Sequence, residues 1–154
     1  MPRILMVCLG NICRSPMAEA LLAHRQPEWI VDSAGTGAWH VGHRPDPRTL
    51  TELERHGIAT SHRARQVQRQ DRQVFDLILA MDRSNLAHLP PLLDPQGGAD
   101  LRLLGDFDPA GPAEVPDPYH DGPEAFAAIY RQIDRALTGL IAALQPGGVL
   151  PPRR

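Results

Sequence analysis

Cys8, five residues and then Arg14 fill the junction between an apolar run at Ile4 to Val7 and a helix start at Ser15-Pro16, and no other stretch constrains the chain as much. A short apolar run suits a buried parallel strand. Ser can cap a helix, and Pro fits the first helical position because its missing N–H has no partner there. A loop entering a helix N-terminus points free backbone N–H groups at one spot, where the helix dipole also favours negative charge. That is a phosphate cradle. A cysteine at its base is drawn toward thiolate, the attacking form. Arg14 offers a planar fork matched to two phosphate oxygens. Gly10 and Asn11 can adopt left-handed backbone angles that curl the loop around an anion.

Other readings fit single residues of this stretch. A Cys ending an apolar run is often a core residue, and two Cys five apart can be inert thiols or half a metal site. The combination of strand, Gly-Asn, Arg, Ser-Pro and helix favours the anion site, because every position fits the same physical task.

With 154 residues the chain can bury the core of one domain. Its formal charge of −2 gives no basic surface for nucleic acid or an anionic membrane. All 16 basic residues are Arg. Two cysteines are too few for a secreted disulfide framework. No signal-peptide pattern opens the chain, and no apolar segment approaches the roughly 20 residues that span a bilayer. A soluble, cytoplasmic protein is expected.

Taken in order, the pattern predicts a helix to about residue 25 and a strand from Trp29 to Ser33. A loop to about Pro47 follows, holding Trp39, His40, His43 and Arg44. The two histidines lack accompanying carboxylates or cysteines and read as solvated loop residues rather than metal ligands. Trp39 is either a satellite core residue or an aromatic wall for a flat substrate. An amphipathic helix is expected over Arg48–His56 with a Gly57 stop, then a polar connector over Ser61–Gln66. Strands are predicted at Phe75–Met81 and Leu101–Leu104, with a short helix capped within Asp82–Asn85. From Pro123 to Leu144, apolar residues stepping by three and four, Tyr130 among them, predict one long helix.

Alternating strands and helices imply an α/β domain over residues 1–145: three layers around a four-stranded parallel sheet of order 2-1-3-4. Residues 146–154, rich in Pro and Gly, are expected to form a flexible tail. Ligands of such sheets bind beyond the carboxyl ends of the strands, at the order reversal, which here follows strand 1. The Pro-rich loop from Gly105 to Gly122 opens on the same edge and can bring an acid to Cys8. Asp117, stiffened by Pro116 and Pro118 and followed by aromatic Tyr119, is the candidate; ordinary turn chemistry is the other reading.

Val7-Cys-Leu-Gly-Asn-Ile-Cys-Arg-Ser-Pro16, Asp32-Ser-Ala-Gly-Thr36, His62-Arg-Ala-Arg-Gln66, Leu79-Ala-Met-Asp82 and Asp117-Pro-Tyr119 together resemble the low-molecular-weight protein tyrosine phosphatases, in order over roughly residues 3–145. The resemblance implies hydrolysis of protein phosphotyrosine and small aryl phosphates through a cysteinyl-phosphate, without cofactor or metal. Cys8 is then the nucleophile, Arg14 the phosphate clamp, Ser15 the hydroxyl supporting the thiolate, and Asp117 the acid and later the base. It further implies that Leu9, Gly10, Asn11, Ile12 and Cys13 line the cradle, and that Trp39 and Tyr119 flank the ring. Ser33 and His62 would brace the loop with Asn11, making His62 a support rather than a solvated residue, and Asp82 would be structural. Cys13 would trap oxidised Cys8 as a disulfide, the alternative being that it merely packs. The implied partners are a phosphotyrosine protein or aryl phosphate and inhibitory phosphate-like oxyanions, with no nucleic acid or membrane and a monomer or weak dimer.

One departure and three rivals are legible. Many members carry a second aromatic after the Tyr, where this chain has His120 and Asp121. Thioredoxin-coupled arsenate reductases share the loop but need further cysteines than Cys8 and Cys13. The phosphoarginine phosphatase branch has Thr before the second Cys, and Ile12 there disfavours a guanidinium leaving group. A non-catalytic phosphotyrosine-binding module is the alternative from another class.

Overall fold

The structure, a computed structural model, describes residues 1–153. Four strands, β1 (Arg3–Cys8), β2 (Ile30–Gly35), β3 (Leu77–Ala80) and β4 (Asp100–Leu103), form one sheet of order β2-β1-β3-β4. All three pairings are parallel, as predicted from the alternation of strands and helices. β1 is buried on both faces, which explains its unbroken apolar run. Ile4, Met6 and Cys8 point into one core, together with Met17, Leu53, Phe126, Ile133 and Leu137. Leu5 and Val7 point into the other, with Ile78, Leu89 and Leu93.

The first core is covered by α1 (Arg14–Arg25), α2 (Pro47–Arg55) and α5 (Pro123–Leu144); the second is closed by Phe75, which follows α3 (Asp71–Val74), and by Leu86 of α4 (Arg83–His88) with Leu89 after it. The α5 stripe is realised as read: Phe126, Ile129, Tyr130, Ile133, Leu137 and Leu140 are buried. Tyr130 packs there and stacks on His56 at 3.8 Å. Asp46 caps α2 by accepting from Arg48 N–H, and Pro47 follows at the first helical position. Gly57 ends that helix with φ at +73°.

Some boundaries move. α1 begins at Arg14 with Cys13 in the capping position, so Ser15 lies inside the helix and does not cap it. Its hydroxyl is engaged in the preceding loop instead, which relocates the helix start. Phe75 leaves the expected strand to close α3, a single turn that no periodicity could announce. A 3-10 turn, Leu104–Phe107, opens the Pro-rich loop. The 146–154 segment, expected to be flexible, makes contacts as far as it is described: Arg102 donates to the Pro151 carbonyl at 2.7 Å, and Arg153 pairs with Asp100.

Candidate active site

β1 ends at Cys8 beside β2 and β3, so the loop Leu9–Cys13 leaves the sheet where neighbouring connections diverge. Asn11 sits at its apex with φ at +57°, a left-handed angle that Asn tolerates. Gly10 keeps an ordinary angle, contrary to expectation; its part is close approach, since a Cβ there would lie 3.1 Å from His40 Cδ2. Among the described residues, no backbone N–H of Gly10 to Cys13 donates to a protein acceptor. Together with the start of α1, those groups form a nest suited to an anion.

A hydrogen-bond chain holds the loop from behind. Asn11 Nδ2 donates to Ser15 Oγ at 2.8 Å and to Ser33 Oγ at 2.9 Å, and Ser33 passes its own proton to Glu19 at 2.7 Å. Arg65 N–H must donate, and it meets Asn11 Oδ1 at 3.0 Å, which fixes the amide orientation. Because Ser15 Oγ already accepts from Asn11, its proton is free for Cys8 Sγ, 2.9 Å away. His62 presents Nε2 to Asn11 Oδ1 at 2.8 Å and Nδ1 to Glu19 at 3.0 Å. Both partners are acceptors, so each faces a ring nitrogen that can donate to it.

The polar connector Ser61–Gln66 is therefore part of the site's support rather than a solvated link. Arg65 ties it further, to Asp32 and Asp71. Burial alone would weaken the charge on Arg65, but these carboxylates raise its proton affinity overall. Glu19, Asp32 and His62 each place one possible metal-ligand atom within 4.8 Å of the others. Those atoms are already engaged by Ser33, Arg65 and one another, which accounts for the cluster without an ion.

Arg14 is almost completely buried and anchored by one nitrogen: NH1 donates to Asp82 Oδ2 at 2.6 Å and to Val115 O at 3.0 Å. Asp82 also caps α4 by accepting from Asn85 N–H, so it ties Arg14 to the start of that helix. Arg14 NH2 is turned toward Asp117 Oδ2, 3.8 Å away. Asp117 is half exposed and orients itself by accepting from Tyr119 N–H at 3.1 Å.

These groups share one pocket of about 220 Å³, lined by Cys8, Leu9, Gly10, Ile12, Cys13, Arg14, Trp39, His40, Asp117, Tyr119 and His120. Trp39 is a wall rather than a core residue: its side chain is exposed and packs on Gly37, where a Cβ would fall 1.9 Å from its ring. Tyr119 stands on another side with His120 edge-on to it at 5.0 Å. Burial, then the charge of Asp46, pushes the Cys13 thiol far up, so it stays protonated. The sequence-predicted residues thus meet in one place, with Ser33 and His62 behind the loop. Glu19, Arg65 and Val115 were not singled out; Arg65 stands in the quoted His62–Gln66 motif, whereas a backbone carbonyl such as Val115 leaves no trace in sequence.

The family model for "Low molecular weight phosphotyrosine protein phosphatase" matches residues 3–148. This chain belongs to the low-molecular-weight protein tyrosine phosphatase family. A phosphatase of that name from Schizosaccharomyces pombe is 46% identical over 140 residues, covering 85% of this chain and 89% of its own. A protein tyrosine phosphatase from Entamoeba histolytica, solved with Hepes in its active site, superposes with a TM-score of 0.87 at 34% identity, covering 96% and 99% of the two chains. An arginine phosphatase of Drosophila superposes at 0.82 with 38% identity, covering 90% and 95%. The family fold is the four-stranded parallel architecture described above.

Proposed function

We propose that the protein hydrolyses protein phosphotyrosine, and small aryl phosphates, through a phosphorylated Cys8. The observation that carries this is the meeting of Cys8, Arg14 and Asp117 in one pocket, with Arg14 NH2 and Asp117 Oδ2 3.8 Å apart. The phosphoryl group rests on the loop N–H groups and Arg14, which stabilise the charge of the transferring group. Cys8 sulfur attacks phosphorus as the aryl oxygen departs, and Asp117 gives that oxygen its proton. Water then attacks phosphorus, Asp117 takes the water's proton, and the P–S bond breaks to return the thiolate, which Ser15 supports. Leu9, Ile12, Trp39 and Tyr119 supply the apolar sides of a slot for the aryl ring.

Phosphotyrosine is preferred over phosphoarginine because buried, apolar Ile12 offers a guanidinium no acceptor. Inhibition by phosphate-like oxyanions follows from the cradle. All these residues come from one chain, so a monomer or weak dimer is sufficient. A cytoplasmic setting suits the two free thiols, and no described helix is long and apolar enough to cross a membrane.

The test is aryl phosphate hydrolysis in EDTA by the wild type, Cys8→Ser and Asp117→Ala. We expect chelator-resistant turnover, abolished in the first variant and slowed about 10²–10⁴-fold in the second. Phosphotyrosine and phosphoarginine peptides compared side by side then fix the leaving group. Oxyanion binding without turnover by reduced wild type would make the chain a binding module.

A further inference from the structure

Arg48 stands outside the pocket, yet it holds the loop that carries Asp117. Its NH1 donates to Asp121 O at 2.6 Å and its NH2 to Tyr119 O at 2.9 Å. Among the described residues, these are the only hydrogen bonds that join residues 116–121 to another element. The residue whose carbonyl Arg48 holds is also the one whose N–H orients the Asp117 carboxylate.

The other end of Arg48 is fixed to the phosphate loop through Asp46. That carboxylate accepts from Arg48 N at 2.8 Å, Nε at 3.0 Å and NH2 at 2.9 Å. Asp46 N–H in turn donates to Ile12 O at 2.8 Å, and Thr49 Oγ1 reaches Cys13 O at 3.2 Å. The guanidinium lies 4.4 Å from the centre of the Phe126 ring on α5, which limits its sideways movement. A planar fork of donors can serve two carbonyls and a carboxylate at once; a lysine ammonium cannot span them.

We propose that Arg48 is a positioning residue: a strut between the phosphate loop and the acid loop that sets the distance from Asp117 to the departing oxygen. This rests on the cysteine phosphatase reading above. Without the strut, Asp117 keeps its chemistry but loses its place, and proton delivery suffers before phosphate binding does.

The experiment compares wild type, Arg48→Met and Arg48→Lys on aryl phosphates of graded leaving-group pKa. Active molecules are counted by the burst of dinitrophenolate from the dinitrophenyl ester, whose departure needs no acid, so loss of folded protein drops out. Met retains the apolar stem against Phe126 but no donors. For Arg48→Met we expect kcat/KM on phenyl phosphate to fall about tenfold or more, and on a dinitrophenyl phosphate, which leaves unaided, less than about threefold. Arg48→Lys should fall between. In an Asp117→Ala background, Arg48→Met should change phenyl phosphate turnover by less than about twofold, because the strut acts through that carboxylate. Equal losses for all leaving groups, no loss at all, or full additivity with Asp117→Ala would overturn the proposal. A wild type that gives neither burst nor turnover would overturn the phosphatase reading itself, a different result.

Discussion

Ser15 has its oxygen occupied by Asn11 and its proton directed at Cys8 Sγ. In the proposed mechanism that proton matters most when sulfur leaves phosphorus with the bonding electrons. Ser15→Ala should slow breakdown of the cysteinyl-phosphate by about tenfold, on the scale of one lost hydrogen bond to a charged group, while the phenol burst persists. Stopped-flow traces with a full burst and a slower steady state would show it; a lost burst would place Ser15 in the first step instead. Cys13 makes a second case. Burial and Asp46 keep its thiol protonated, and a resolving thiol attacks as thiolate. Activity regained on adding a reducing thiol after peroxide should therefore depend on Cys13 and rise with the pH of the peroxide step, and Cys13→Ser should abolish the dependence. Equal recovery in both proteins would leave Cys13 a packing residue.

At the level of elements, β2 does more than flank β1. Its end at Gly35 and the following turn bring Gly37 under the Trp39 ring, with no room for a methyl group between them. Gly37→Ala must displace the ring, so the slot loses one wall. With stacking worth about 0.5–1.5 kcal/mol, KM for an aryl phosphate should rise by up to about tenfold, whereas inhibition by inorganic phosphate, which needs only the cradle, should not change. A parallel change in both would mean that the turn also shapes the loop. The element pattern itself was legible where periodicity or composition was strong: the α5 stripe, the buried β1 run and the Gly57 stop all follow from local rules. α3 and the true start of α1 were not. A four-residue turn has no period to read, and the first turn of α1 is set by Ser15 engaging Asn11 and Cys8, a preference that lies in the tertiary site.

Across the whole molecule, the same limit separates the residues proposed to react from those that hold them. Cys8 and Arg14 could be picked out from sequence because the proposed chemistry demands their types at that spacing, and Asp117 only once they had been. Arg65, Glu19 and Arg48 meet Asn11, His62 and Tyr119, each tens of residues distant, and only the folded chain brings those partners together. Asp108 belongs to this second group. It is buried, yet it accepts from Arg135 Nε at 2.8 Å and NH2 at 2.9 Å and from Ala110 N–H at 2.9 Å, joining the start of the Pro-rich loop to α5. Burial alone would push its carboxyl up, but the Arg135 guanidinium and the Ala110 N–H hold it below the usual carboxylate value. A carboxyl depressed on folding stabilises the native state above its unfolded value, about 3.9, and loses that contribution as pH falls through the lower folded value. Asp108→Asn keeps the shape and an acceptor for Ala110 but not the charge. Its melting temperature should lie a few degrees below wild type at pH 7, with the gap closing as the pH is taken below about 4. Melting curves recorded from pH 7 to pH 3 would decide it: a gap that stays constant throughout would mean that Asp108 acts by fit alone, and that its pairing with Arg135 adds nothing to the hold on the loop.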